Sequence, residues 1–147
     1  MSSSLESLYQ EVIMDHSRTP HNHGLRDGGS AESHQLNPTC GDEVTLRIHT
    51  EGDTITSLSW EGHGCAISQA SASLLSDVIV DLDRAAVQER IDAFRELMRS
   101  KGTLEGDEDL LGDAVVLGGV SRYIARVKCA MLAWVALEDA MAKTPAA

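Results

Sequence analysis

Three cysteines, Cys40, Cys65 and Cys129, are spread over three separate segments of a 147-residue chain. An odd number excludes a complete disulfide framework, and the spacing is not that of a CxxC finger. If they act together, the fold must carry three distant segments to one place. A metal site, reactive thiols and three inert buried cysteines are all compatible with the count. The stretch Asn37-Pro38-Thr39-Cys40-Gly41-Asp42-Glu43 favours a site, because a thiol and a carboxylate stand two residues apart just ahead of a strand. In near-extended backbone, residues i and i+2 share a side. Gly41 carries no Cβ and permits the tight bend that convergence of Cys40 and Asp42 requires.

Local chemistry strengthens the metal reading. Gly62-His63-Gly64-Cys65 precedes a run of small and apolar residues at helical spacing, which places Cys65 at a helix start. Cys129 is expected in the first turn of a final helix over about 126–143. Helix N-termini carry unpaired N–H groups and partial positive charge, both of which favour thiolate over thiol. Three thiolates and the Asp42 carboxylate form a donor set that suits zinc. Soft sulfur ligands equally accept an iron–sulfur cluster. The plainer reading of Asp42 is a turn residue bonding its own backbone. His63 is either a substitute ligand or an exposed side chain. Lys128 could lower the pKa of its neighbour Cys129, but adjacent helical residues face apart, and its plainer reading is a solvated lysine. His16, His21, His23, His34 and His49 show no partner spacing and read as surface or loop residues.

The remaining pattern predicts an α+β fold in one domain, residues 1–147, with a small antiparallel three-stranded sheet backed on one side by about five helices. Leu5, Leu8, Tyr9, Val12 and Ile13 form the apolar stripe of a first helix ending near Asp15-His16. Residues 17–36 read as a surface loop with a mobile tip, and 31–36 are the best place for the strand hardest to locate. Val44, Leu46 and Ile48 alternate with polar residues, and 54–60 supplies an antiparallel partner across Glu51-Gly52-Asp53. Asp83 is an N-cap for a helix through about Arg99. The acidic stretch 101–113 is a solvated loop with at most one helical turn, and 144–147 should fray. With one Phe, two Tyr and two Trp, the core must be aliphatic. A net charge of −11 disfavours nucleic acid and anionic membranes and suits a basic protein partner. No run is long enough to span a membrane, Met1–Ser4 has no signal-peptide pattern, and reduced thiols fit the cytoplasm.

These residues also carry a resemblance. Leu8-Tyr9, Val12-Ile13-Met14-Asp15-His16, Pro20 and Asn22 resemble the opening of the iron–sulfur cluster assembly scaffold family that includes IscU and SufU, the NifU N-terminal-like proteins. Asn37–Asp42, Gly62–Ser68 with Ala70–Ser73, and Gly119–Trp134 resemble its three cysteine motifs in order. Lys128 before the third cysteine, the long segment between Cys65 and Cys129, and the lack of a Leu-Pro-Pro-Val-Lys motif bring the chain nearer to SufU-type members. Ile124 stands where relatives commonly carry proline, which bears on the start of the last helix. The resemblance implies a zinc protein that takes persulfide sulfur from a cysteine desulfurase for iron–sulfur cluster assembly. The ion would be held by Cys40, Asp42, Cys65 and Cys129, with Cys40 as sulfur acceptor. Because a metal-bound thiolate is masked, Cys40 would leave the ion while the desulfurase donates a ligand. Two alternatives remain: a scaffold building a [2Fe–2S] cluster on the same thiolates, and a zinc-stabilised adaptor with no sulfur chemistry.

Overall fold

The computed structural model describes residues 2–144, with side chains from Glu6 onward. Helix α1 (Ser2–Arg18) leads into an irregular stretch and then a hairpin of β1 (Ala31–Asn37) and β2 (Asp42–Glu51). Strand β3 (Thr54–His63) follows, then α2 (Ala66–Ile79), the two-residue β4 (Leu82–Asp83), α3 (Arg84–Arg99) and the single turn α4 (Glu108–Leu111). Residues Gly112–Arg122 form successive 3₁₀ turns, and α5 (Ile124–Ala142) closes the chain. The sheet is antiparallel throughout in the order β1-β2-β3-β4. It therefore has four strands where the sequence predicted three. The extra one is short because Asp83, its last residue, also caps α3 by accepting a hydrogen bond from the Ala86 N–H.

Parity in β2 decides which face is covered. Asp42, Val44, Leu46 and Ile48 are buried, while Glu43, Thr45, Arg47 and His49 are only half-buried. Helix α5 packs on β1 and β2, and α2 packs on β3, α1 and α5. The core is aliphatic apart from Trp60 and the pair Phe94–Trp134, whose rings stack at 4.0 Å between centroids. Helix α2 buries Ser68, Ser71, Ser73 and Ser76, small enough to let α1 and α5 approach. Their hydroxyls are satisfied: Ser71 donates to the Ala130 carbonyl at 2.5 Å and accepts from Trp134 Nε1–H at 3.0 Å.

The stripe on α1 is shifted from the expected one. Tyr9, Val12, Ile13 and His16 face inward and Leu8 is exposed; Leu5 lies outside the residues whose side chains are described. The stretch after α1 is tied down rather than loose, because Asn22 and Gly24 bond the Trp60 backbone and Arg26 N–H bonds Ser59 Oγ. It thereby covers the β3 edge that β4 is too short to protect. Thr144, expected to fray, is buried against the Arg84 guanidinium, and 145–147 lie outside the described residues. Among the described residues, no helix is long and apolar enough to cross a membrane.

Gly62 sits in β3 opposite Val44, where a Cβ would lie 2.1 Å from the Glu43 carbonyl oxygen. Gly62→Ala must push β2 and β3 apart. Its urea-unfolding midpoint should fall by the equivalent of ~1–3 kcal/mol, and a wild-type midpoint would contradict this packing.

Candidate metal centre

Three structural elements meet at one end of the sheet. The β1–β2 turn carries Cys40, with the Cys40 and Gly41 amides bonded to the Asn37 carbonyl at 3.2 and 2.8 Å. Gly41 takes φ +73°, a conformation that favours glycine. Cys40 thus sits in a turn, not in the extended backbone the sequence argument assumed, and it is exposed. Asp42 opens β2 on its helix-facing side and is 1% exposed. Cys129 projects from α5 and is fully buried. A sulfur of Cys40, a sulfur of Cys129 and a carboxylate oxygen of Asp42 all lie within 4.8 Å of one another.

Cys65 enters this arrangement chiefly through its backbone. It is the N-cap of α2, and its N–H donates to Asp42 Oδ1 at 2.9 Å. The Ser68 hydroxyl reaches the same oxygen at 3.4 Å. This close approach needs Gly64, since a Cβ there would lie 2.2 Å from Asp42 Oδ1. The Cys65 side chain interacts with Cys129 but falls outside the 4.8 Å group.

Two features differ from the sequence reading. Helix α5 starts at Ile124, so Cys129 lies in its second turn and gains no bare helix terminus. Burial, then contacts with Asp42 and Cys40, then the neighbouring Cys65, push the Cys129 thiol far above the ordinary range instead of lowering it. His63 is turned away from the cysteines, with Nε2 3.3 Å from Glu43 Oε1, and Lys128 is exposed. Ile124 is the first residue of α5.

The second Asp42 oxygen tests whether this cluster fits a cation. Oδ2 is buried and accepts no hydrogen bond. An unpartnered buried carboxylate oxygen is costly, and this carboxylate has an oxygen within 4.8 Å of two thiol sulfurs. Sulfur and carboxylate donors around such an oxygen fit a zinc ion, which would supply the missing partner and stabilise both thiolates. The residues present therefore fit the group.

One further cluster escaped the sequence reading. His16 and His21, taken as unrelated surface or loop residues, converge with Asp77 of α2. Only the position of His16 on the α1 stripe, three residues after Ile13, could have signalled its burial.

The fold has known counterparts. Residues 8–130 match the NifU-like N terminal domain, and the chain belongs to that family. It is 40% identical over 142 residues to the zinc-dependent sulfurtransferase SufU of Bacillus subtilis, covering 96% of this chain and 94% of that protein. It is 38% identical over 143 residues to the iron–sulfur cluster assembly scaffold protein IscU of Streptococcus pyogenes, covering 97% and 87%. Among solved structures, a putative SUF-system scaffold protein from Fervidobacterium islandicum superposes with a TM-score of 0.80 at 36% identity, covering 89% of this chain and 94% of that one.

Because the fold favours the protonated Cys129 thiol, that preference contributes stability below the ordinary thiol pKa of ~8.5 and is lost as pH rises above it. Urea unfolding of chelator-treated protein should show stability falling with pH above that value, and Cys129→Ser should flatten the fall. An equal decline in the variant would contradict this assignment.

Proposed function

We propose that the protein is a zinc-dependent sulfurtransferase that accepts persulfide sulfur from a cysteine desulfurase for iron–sulfur cluster assembly in the cytoplasm. The observation carrying this reading is the exposed Cys40 thiol within 4.8 Å of the buried Cys129 sulfur and of the Asp42 carboxylate, whose Oδ2 is buried and unpartnered. Zinc would be held by Cys40, Asp42, Cys65 and Cys129, where it would stabilise thiolates and join the β1–β2 turn to α2 and α5. The function named for the Bacillus relative agrees with that chemistry. Reduced cysteines agree with a cytoplasmic setting.

The four side chains divide the work by their exposure. Cys129 is buried in α5 and Cys65 is fixed at the head of α2, so neither is placed to meet another protein's active site. Cys40 sits on a solvent-facing turn and can leave the cluster without moving a helix. Its thiolate attacks the sulfane sulfur of the desulfurase persulfide. A new S–S bond forms on Cys40, the desulfurase S–S bond breaks, and the desulfurase cysteine departs as a thiolate. Asp42 remains anchored by the Cys65 amide, keeping the rest of the centre in place while Cys40 is engaged.

A second reading, a scaffold for a [2Fe–2S] cluster, is favoured by the sulfur-rich donor set and by the naming of the Streptococcus relative. Anaerobic reconstitution separates the two: a stable, stoichiometric cluster chromophore supports the scaffold, and tight zinc with stimulated desulfurase turnover supports transfer.

Cys40→Ser should abolish sulfur acceptance. After incubation with desulfurase and cysteine, mass spectrometry should find one added sulfur on the wild type and none on the variant. Wild-type transfer by Cys40→Ser would overturn the assignment.

A further inference from the structure

A second group of ligand-type side chains lies outside the cysteine centre, where α1, the following loop and α2 meet. His16 points inward from α1, one turn after Ile13, and is 8% exposed. Its Nδ1 contacts Ser73 Oγ at 2.7 Å. The same hydroxyl accepts the backbone N–H of His21, also at 2.7 Å, so a single serine positions both histidines. Asp77 stands four residues after Ser73 and thus on the same face of α2. Its Oδ2 lies 2.5 Å from His21 Nδ1. The two imidazole rings are 4.5 Å apart between centroids, and His16, His21 and Asp77 each offer a donor atom within 4.8 Å of the others.

We propose that His16, His21 and Asp77 form a second binding site for a divalent first-row transition-metal cation, independent of the cysteine centre. Two imidazoles and one carboxylate make a nitrogen–oxygen donor set that suits Zn²⁺, Fe²⁺ or Co²⁺ and leaves further positions open to water. Ser73 acts as the outer partner. With His16 Nδ1–H donating to Ser73 Oγ, the lone pair on Nε2 is free for the ion, and the main-chain clamp on His21 holds the second ring nearby.

The surroundings favour a cation. Asp77 lies on the wall of a cavity of about 270 Å³ that also exposes Glu108, Asp109 and Asp113, against the one cation Arg90, itself paired with Glu89 at 2.9 Å. Around His16, burial and the adjacent His21 lower its pKa, with Asp77, Asp113 and Asp15 pulling the other way. A bound ion would fasten the C-terminal end of α1 and the loop to α2. None of this depends on what the cysteine centre does.

The test uses full-length protein loaded with a single equivalent of Zn²⁺, which the thiolate-rich cysteine centre takes, then freed of unbound metal and titrated with Co²⁺ near neutral pH. His21 and Asp77 are exposed, and the His21 main-chain bond survives side-chain replacement, so His21→Ala and Asp77→Asn probe the site without emptying the core. Wild type should bind one additional equivalent of Co²⁺ showing weak visible bands without thiolate charge-transfer absorption. Each variant should weaken that equivalent by about tenfold or more, the size of effect seen when even outer-shell partners of metal-bound histidines are lost. Sulfur acceptance at Cys40 should be unchanged in both. Absence of the additional equivalent in wild type, its retention at full affinity in both variants, or a thiolate charge-transfer spectrum would overturn the proposal.

Discussion

One buried carboxylate organises the reactive end of this molecule. Asp42 is drawn to the helix-facing side of β2 by the same alternation that buries Val44, Leu46 and Ile48. One of its oxygens holds the head of α2 through the Cys65 amide, the other is buried with no hydrogen bond, and the carboxylate lies within 4.8 Å of the sulfurs of Cys40 and Cys129. Turn, sheet and two helices are thus referred to one charged group. A carboxylate desolvated in this way is tolerable when a cation completes it, and the cluster is built from donors that bind one.

The two ends of the centre are held in different ways. Cys129 and Cys65 belong to helices held by the aliphatic core, by the Phe94–Trp134 stack and by the hydroxyls of α2. Cys40 belongs to a four-residue turn whose ordering rests on bonds to the Asn37 carbonyl and on the freedom of Gly41. A thiol on such a turn can exchange partners while the others stay put. This division of labour is what a sulfur carrier requires, and it follows from where the chain reverses direction.

Most of the architecture could be read from the sequence because periodicity was strong where burial was one-sided. Val44, Leu46 and Ile48 announced β2, and Asp83 announced the start of α3. The guess of a strand over 31–36 was right to within one residue. The two-residue β4 left no periodic trace, and Leu8 looked like a stripe residue because spacing alone could not tell that His16 takes the inner position instead. Of the four residues expected to converge, Cys40, Asp42 and Cys129 come within 4.8 Å of one another, by a turn rather than an extended strand, and the Cys65 side chain falls outside that group. Cys129 was misjudged because two residues of extra helix moved it off the terminus into the interior. The meeting of His16, His21 and Asp77 was invisible, since it depends on how α1 lies across α2 and on Ser73 between them.

X-ray absorption at the zinc edge of the zinc-loaded protein tests the central claim most directly. Convergence of Cys40, Asp42, Cys65 and Cys129 on one ion predicts a first shell of three sulfurs at ~2.3 Å and one oxygen at ~2.0–2.2 Å, with a sulfur lost in Cys65→Ser. A shell of nitrogen and oxygen alone, or a sulfur count unchanged in that variant, would contradict it.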